Sequence, residues 1–392
     1  MSSEVHVKNI GLRGVTVADS AISFIDGEKG VLIYRGYRIE DLADNSSYME
    51  TAYLLLYGTL PTIEQEQRFV EQVKAARQVP DFVYQSMKQF PADAEPMDIL
   101  QAVVPMLSMA DEYGDTFERG INIDRSIGLI AKLPTITAAW HRIRNGLEPL
   151  PPDESLDHAA NFLWMLQGKK PDAATAHELD ICLVLHADHT FNASTFAARE
   201  VVSTRASLYA GVAAGLGALS GSLHGGANTR VMKMLLDLEH EPDIEAWVKD
   251  WLAKGHKIMG FGHAIYKTGD PRAVYLKKMG QRLGEQTGQN WFTISEQVER
   301  ATLAEFAQRG KTTILPNVDF MSAPVYYMMG IPLDLMTTIF AISRVAGWCS
   351  HIIEEQFADA QDKPALYRPK AEYVGEYCGL MGCEYSPPAK RK

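Results

Sequence analysis

Four segments of the chain place histidine, aspartate and arginine residues in patterns that suit catalysis. The first is HADH at 186–189, where His186 and His189 would share one face of a helix. Imidazole and carboxylate are ordinary metal ligands, so a metal site is one interpretation. No HExxH pattern or second acidic helix completes such a site, and we favour anion binding by His189.

The second segment, SGSLHGGAN at 220–228, places His224 directly before two glycines. Glycine removes side-chain bulk and permits unusual backbone angles, so a ligand can approach such a histidine closely. The alternative is a helix break in which the histidine has no function.

The third and fourth segments add cations and an acid. GFGHAIYKTGDPR at 260–272 combines glycines with His263, Lys267 and Arg272. Backbone N–H groups of such a loop can bind phosphate or a thioester arm, and arginine can hold a carboxylate through two parallel hydrogen bonds; a solvated surface turn is the alternative. Asp319 borders an apolar run, where burial would raise its pKa and make it a base near neutral pH, although an acid here could instead cap the next helix.

These residue types together suit one kind of chemistry. Two histidines, an aspartate and several arginines could remove a proton from a carbon acid, stabilise the enolate and hold a carboxylated electrophile. The sequence therefore favours proton abstraction next to a carbonyl, followed by carbon–carbon bond formation.

The elements that must position these residues are predicted to be almost all helical. Residues 22–37 form two β-branched and aromatic runs around a glycine turn, which predicts a short N-terminal β-hairpin. Helical patterns with start and stop signals follow, including a capping box at Thr62 and Gln65. No strand–helix alternation, Walker motif or dinucleotide-binding motif is present, so we expect a mainly α fold. The predicted helices cover 46–57, 122–145, 155–167, 172–189, 195–221 and 332–360.

Composition argues against some classes of partner and compartment. The 392 residues are 46% hydrophobic and 22% charged with a net charge of −11, which argues against a basic face for nucleic acid. The four cysteines show neither C-x-x-C spacing nor a zinc pattern, and a chain of this length does not need disulfide bonds. With no apolar leader evident, we expect a reducing, cytoplasmic location.

The window 206–223 is uncharged and rich in glycine, alanine and serine, with two GxxxG spacings. In a membrane such spacings mark helix dimerisation, but the window is short of a full span of about 20 residues. We interpret it as a buried helix that another helix can approach closely, at a subunit interface, and expect no membrane partner.

At these residues the chain resembles the citrate synthase family. LHGGAN at 223–228, GFGHAIYKTGDPR at 260–272 and PNVD at 316–319 are similar to its three catalytic segments and occur in the same order. LHADHTFNASTF at 185–196 is similar to its oxaloacetate histidine segment. Two further arginine segments are similar as well, FAISRVAGW at 340–348 and YRPKAEY at 367–373. The opening segments GLRGV at 11–15 and YRGY at 34–37 are similar too, so the resemblance spans nearly the whole chain.

The resemblance implies a role for each residue. Asp319 would remove a proton from the acetyl methyl group, His224 would hydrogen-bond the thioester oxygen, and His263 would polarise the oxaloacetate carbonyl. No metal or other cofactor would be required. Oxaloacetate would be held by His189, Arg272, Arg344 and Arg368, with Phe340 beside the reacting groups. Coenzyme A would contact Met259, Gly260, Phe261, Gly262 and Lys267.

The resemblance also implies an architecture. A large helical domain would comprise 1–224 and 326–392, and a smaller helical lid domain, 225–325, would close over oxaloacetate to create the acyl-CoA site. The chain would be a homodimer in which Arg368 reaches the active site of the partner, with oxaloacetate and acyl-CoA as substrates. Its reaction would be the first step of the tricarboxylic acid cycle.

Three alternatives remain open from the sequence. A 2-methylcitrate synthase would use the same residues with propionyl-CoA, since one methylene changes binding by only about 1–3 kcal/mol. A helical metal-dependent hydrolase would use His186, Asp188 and His189. A non-enzymatic scaffold would use the glycine- and alanine-rich helix as its interface.

Overall fold

Helices make up most of the structure, a computed structural model that describes residues 11, 12, 14–376 and 379–391. The predicted mainly α fold is confirmed. In chain order the α-helices are α1 (Ile39–Asn45), α2 (Tyr48–Tyr57), α3 (Ile63–Ala75), α4 (Asp81–Met87), α5 (Pro96–Leu107), α6 (Arg119–Arg144), α7 (His158–Gln167), α8 (Ala173–His186), α9 (Ala193–Ser203), α10 (Leu208–Ser220), α11 (Ala227–Asp237), α12 (Ile244–Ala253), α13 (Pro271–Thr287), α14 (Trp291–Gln308), α15 (Val318–Met328) and α16 (Met336–Phe357).

A small antiparallel sheet precedes the helices. Its strands are β1 (Ser23–Asp26), β2 (Val31–Tyr34) and β3 (Tyr37–Arg38), paired in the order β1-β2-β3. Ser23 pairs with Tyr34 and Asp26 with Val31, which is the hairpin that the sequence predicts. β3 adds a short third strand that the pattern did not indicate.

The ends of several helices follow from local side-chain chemistry. Ser47 caps α2 by accepting the backbone N–H of Glu50, and Gly58 ends the helix with a φ of 85°. Thr62 and Gln65 form the predicted capping box at the start of α3. Such signals involve only neighbouring residues, so they can be recognised in the sequence.

Several predicted helices begin or end elsewhere. α8 ends at His186, so the prediction that His186 and His189 share one face of a helix is wrong. The run 195–221 is divided between α9 and α10, because Arg205 adopts a φ of 67° and Ser207 caps a new helix. The run 332–360 becomes helical in the α form only at Met336. Residues 333–335 form a 3-10 helix, so the apolar pattern there continues through a change of helix type.

α10 packs closely against other helices of the same chain. A Cβ atom at Gly211 would lie 2.8 Å from Ile352, and one at Gly215 would lie 3.0 Å from the ring of Trp348. The small residues therefore let α10 approach α16, as the buried-helix interpretation requires. No helix in the described part of the chain is long and apolar enough to cross a membrane.

The helices form two groups. α11 packs on α15, α12 on α14, and α13 on both α14 and α15. α16 lies in the other group, where it packs on α2, α6, α8, α9 and α10. This grouping is compatible with the predicted small domain at 225–325, whose boundaries stay a prediction; α15 continues beyond 325 to Met328.

The described cysteines differ in chemical state. Cys182 and Cys349 are buried free thiols, whereas Cys383 is disulfide-bonded. The expectation of a chain that does without disulfide bonds does not hold for Cys383, so cysteine usage gives no support to a reducing compartment.

Candidate active site

Two of the predicted site histidines meet between the loop after α8 and the loop before α13. His189 is buried, and its Nε2 lies 3.2 Å from the hydroxyl of Tyr266. The rings of His189 and His263 stand edge to face with their centroids 5.5 Å apart. Burial, followed by the charges of Arg272 and Arg344, holds the pKa of His189 well below its usual value.

The hydrogen bonds of His263 define which ring nitrogen carries the proton. Its Nδ1 accepts the backbone N–H groups of Ile265 and Tyr266, each at 3.1 Å. The proton of the neutral ring must therefore be on Nε2. Burial lowers the pKa of His263 to about 4, and the charge of Arg272 adds to this. At neutral pH the ring is uncharged and its Nε2–H is available to a ligand.

His224 is oriented by Ser194 at the start of α9. The backbone N–H of Ser194 donates to His224 Nε2 at 3.3 Å, which places the imidazole proton on Nδ1. Ser194 Oγ lies 2.9 Å from the same Nε2 and 2.7 Å from Asn192 Oδ1, and it accepts from the indole N–H of Trp348 at 3.1 Å. Because Nε2 accepts the backbone N–H, the hydroxyl proton must point to Nε2 as well. Burial, aided by Arg344, lowers the pKa of His224 to about 4. This ring too is neutral, with one N–H to offer.

Asp319 lies in the first turn of α15, close to the glycine loop. Asn317 caps this helix, because its side chain accepts the backbone N–H groups of Asp319 and Phe320 at 3.0 and 3.3 Å. The Asn317 amide also donates to the carbonyl of Gly262 at 2.9 Å, and its backbone N–H to the carbonyl of Gly260 at 2.9 Å. One asparagine therefore joins the loop to the turn that carries the aspartate, and Asp319 is not the cap.

The carboxylate of Asp319 is basic enough to accept a proton near neutral pH. Burial raises its pKa to about 6, against the opposing charges of Arg272, Arg230 and Arg344. Its place near a helix N-terminus would also favour the charged form. Desolvation outweighs these effects, so the carboxylate is ionised at pH 7 yet more basic than an exposed aspartate.

The side chains of the glycine loop at 259–262 pack against the hydrophobic core. Gly260 has a φ of 78°, and a Cβ atom there would lie 2.7 Å from Phe320 Cβ. The ring of Phe261 packs against Phe306 and Phe320, with centroids 5.9 and 4.9 Å away. Met259 packs against the core as well. Since these side chains face the protein, the loop can offer a ligand chiefly its backbone.

The two buried arginines of the site are held in different ways. Arg272 donates through Nε and Nη2 to the carboxylate of Asp270, at 2.9 and 2.7 Å. Arg344 donates through Nε to the carbonyl of His186 at 2.8 Å and lies over the ring of Phe340, 4.7 Å from its centroid. Its Nη2 has no hydrogen-bond partner among the described residues. Burial lowers the pKa of Arg344 to about 10, so it stays charged at neutral pH.

Two predicted site residues stand apart from this cluster. The ammonium group of Lys267 pairs with Glu28, and its backbone N–H donates to the carbonyl of Gly27 at 3.0 Å. Arg368 is exposed on the segment after α16. Among the described residues, it makes none of the contacts that join the other site residues.

The HADH segment does not form a metal site in the described part of the chain, where no group of three potential ligands is placed to hold an ion. His186 Nδ1 lies 2.7 Å from the carbonyl of Cys182, Asp188 contacts Ser23, and His189 contacts Tyr266. The three side chains thus have different partners, and the described residues do not bring them together as one set of ligands.

Several residues that shape the site were missed from the sequence. Asn192, Asn317 and Asp270 each precede a helix, which is the ordinary signature of a cap, and Asp270 is followed by a proline at the first helical position. Those signals could have located all three residues, although not their links to the site. No local signal marks Ser194 or Tyr266.

These groups define the class of protein. A basic carboxylate, neutral N–H donors and buried guanidinium groups in a helical frame suit an enzyme that deprotonates a carbon acid and binds a carboxylated substrate.

Comparison with known proteins gives the family. The family model described as citrate synthase, C-terminal domain, matches residues 11–370. A citrate synthase from Haloferax volcanii is 45% identical over 372 residues, which cover 93% of this chain and 95% of the relative. The chain belongs to the citrate synthase family. Proteins named 2-methylcitrate synthase also match, at 38% and 37% identity.

Solved structures agree in fold. The crystal structure of citrate synthase from Pyrobaculum aerophilum has a TM-score of 0.89 and 37% identity, and the alignment covers 97% of this chain and 95% of that one. Citrate synthase from Thermoplasma acidophilum, solved as a ternary complex with carboxymethyl coenzyme A and oxaloacetate, has a TM-score of 0.86 and 32% identity, with 96% and 98% covered.

Proposed function

We propose that this chain condenses acetyl-CoA with oxaloacetate and hydrolyses the resulting citryl-CoA to citrate and coenzyme A. The observation that carries the proposal is Asp319, a carboxylate whose pKa burial raises to about 6 and whose helix is tied through Asn317 to a glycine loop. A base of suitable strength thus lies beside backbone that can bind a thioester arm. Membership of the citrate synthase family supports the choice of substrates.

In the first step Asp319 takes a proton from the acetyl methyl group, and the electrons of the C–H bond move into an enolate. Neutral His224 donates its Nδ1–H to the thioester oxygen, where negative charge develops. A well-placed donor of this kind contributes roughly 10²–10³ in rate. Because Ser194 fixes the tautomer of His224, the ring presents a donor rather than an acceptor.

In the second step the nucleophilic carbon attacks the keto group of oxaloacetate. Neutral His263 donates Nε2–H to the keto oxygen and gives up that proton as the alkoxide forms. The proton that Asp319 took from the methyl group then returns to His263, so both side chains end the condensation in their starting states. His189, Arg272 and Arg344 hold the carboxylates. Asp270 already neutralises the charge of Arg272, so Arg272 mainly orients the substrate carboxylates. Arg344 has an unpartnered Nη2 and supplies most of the positive charge that binds them.

Hydrolysis completes the reaction. Water attacks the carbonyl carbon of the citryl thioester, the C–S bond breaks, and the coenzyme leaves as a thiol. The chain's own residues account for the proton transfers of the condensation, and water supplies the proton of the thiol, so we propose that no metal or other cofactor is needed. Full activity in EDTA is the expected result.

The proposal includes a homodimer and a moving lid. Arg368 is exposed in the single chain, which supports a role in the site of a partner subunit. Closure of the smaller domain would exclude water until condensation, and the contact of Lys267 with Gly27 and Glu28 lies between that domain and the N-terminal sheet. A cytoplasmic location and a place in the tricarboxylic acid cycle stay predictions.

A thiol-release assay with oxaloacetate and a panel of acyl-CoAs tests the proposal. We expect kcat/KM to be highest for acetyl-CoA, with citrate as the product. A higher kcat/KM for propionyl-CoA would identify the chain as a 2-methylcitrate synthase. No release with any acyl-CoA would refute the condensation itself.

A further inference from the structure

The loop that carries His189 contains a residue in an unfavourable backbone conformation. Thr190 has a φ of 45°, in the left-handed region that β-branched residues rarely adopt. Thr190 directly follows His189, so its backbone angles determine the direction of the backbone next to this proposed oxaloacetate ligand. Strain of this kind persists only where the surrounding contacts enforce it.

The contacts that enforce it converge on Asp188. The backbone N–H of Thr190 donates to Asp188 Oδ2 at 3.0 Å and to Ser23 Oγ at 3.0 Å. The Ser23 hydroxyl donates to the same carboxylate oxygen. Asp188 therefore fixes Thr190 and ties the loop to β1, 165 residues away in the sequence.

A second set of contacts fixes Asp188 itself. The side chain is fully buried, and Nε2 of His351 lies 3.3 Å from Oδ1. Nδ1 of His351 lies 3.1 Å from Arg199, which forms a buried ion pair with Glu354 at 2.6 Å. Burial alone would raise the pKa of Asp188, but His351 and the hydrogen bonds hold it below its usual value, so the carboxylate is charged.

We propose that Asp188 is a positioning residue for the oxaloacetate site. It holds Thr190 in the left-handed conformation and so fixes His189 against Tyr266 and His263. Asp188 does not touch the substrate, and its effect is on how well the loop is organised to bind. This role rests on the proposed function of His189 as an oxaloacetate ligand.

Asp188→Asn tests the role with little change in shape. The amide NH2 cannot accept a hydrogen bond, and the amide oxygen is a weaker acceptor than a carboxylate. We expect Kd and KM for oxaloacetate to rise about tenfold, as for loss of a hydrogen bond to a charged group, while kcat at saturation and KM for acetyl-CoA change little. Ser23→Ala removes the tie to β1 and should give a smaller rise in the same two constants.

A double variant separates positioning from general stability. Glycine adopts positive φ without strain, so Thr190→Gly in the Asp188→Asn background should recover roughly half of the lost affinity on a logarithmic scale. Thr190→Gly alone should change the affinity little. Arg205→Gly is the matched control, since Arg205 is exposed with a φ of 67° and relief of strain there should recover none of it.

The outcomes distinguish this role from the function on which it rests. Unchanged oxaloacetate affinity in Asp188→Asn, or equal recovery by Thr190→Gly and Arg205→Gly, would overturn the positioning role. Failure of the wild-type chain to bind oxaloacetate in calorimetry would overturn the proposed function first. A crystal structure of Asp188→Asn in which Thr190 has left the positive φ region would support the role directly.

Discussion

Asp319 shows how burial outweighs the other influences on a single residue. Helix position and three nearby arginines favour its charged form, yet its pKa is raised to about 6. The sequence indicates this much, because an acid beside an apolar run is a group that burial can make basic. It does not show that Asn317, two positions earlier, takes over the capping role and binds the glycine loop.

Asp319→Asn should abolish condensation while preserving the fold. The amide is nearly isosteric but cannot take up a proton, so we expect kcat to fall by several orders of magnitude, since the positioned base is removed. Oxaloacetate affinity should stay near the wild-type value. Thiol release and calorimetry measure the two quantities, and an unaltered kcat would refute the base assignment.

The wild-type pH profile follows from the same group. Asp319 must be ionised to act as base, so log kcat/KM should fall with a slope of one below the pKa of about 6. His224 and His263, with pKa values of about 4, stay neutral donors across that range. A profile flat down to pH 5 would contradict the assignment.

The Asp319→Asn substitution should also stabilise the protein at neutral pH. Since the folded pKa of about 6 exceeds the reference value of 3.8, the folded state binds the proton more tightly than the unfolded state. Stability is therefore lost as pH rises from about 4 to 6. Asp319→Asn removes this penalty, and we expect its free energy of unfolding at pH 8 to exceed wild type by about 1–3 kcal/mol. The difference should vanish below pH 4, as chemical denaturation at both pH values would show.

At the scale of elements, the glycine loop depends on a close approach that only glycine allows. A Cβ atom at Gly260 would meet Phe320 Cβ at 2.7 Å, so Gly260→Ala should displace the loop and raise KM for acetyl-CoA at least roughly tenfold, as an Ångström-scale misplacement does. Gly255→Ala is the matched control, because Gly255 has a φ of 81° but nothing within 4 Å of a Cβ atom. Equal KM values for the two variants would show that the contact with Phe320 is unimportant.

How far the elements could be predicted depends on whether their signals are local. The caps of α2 and α3 could be identified because Ser47, Gly58 and the Thr62–Gln65 pair act on adjacent residues. The break between α9 and α10 could not, since it contains neither glycine nor proline and depends on Arg205 tolerating a positive φ. The tertiary position of α10, packed on Trp348 and Ile352, follows from residues more than a hundred positions away.

At the scale of the whole molecule, the role of Arg368 can be tested by mixing subunits. Arg368→Ala and Asp319→Asn chains should each be nearly inactive. If Arg368 serves the partner's site, each mixed dimer contains one intact site, and refolding an equal mixture should recover about one quarter of wild-type activity. If Arg368 acts within its own chain, no intact site forms and the mixture stays inactive.

The contact between the N-terminal sheet and the smaller helix group could not be predicted from the sequence. Lys267 pairs with Glu28 of the hairpin turn, and its contact with coenzyme A stays a prediction. A Cβ atom at Gly27 would overlap the carbonyl of Ile265. Neither contact has a signature in its own segment, because the partners are separated by more than two hundred residues.

This contact has a consequence for the speed of turnover. Its described bonds are a main-chain hydrogen bond from Lys267 to Gly27 and an exposed ion pair with Glu28, and exposed pairs are weak and screened by salt. If the smaller helix group moves as a lid and its opening limits the release of product, kcat should increase with ionic strength in stopped-flow measurements. Glu28→Gln should have a higher kcat than wild type at low salt, and its kcat should not depend on ionic strength. The hairpin turn would then slow product release in the wild-type protein.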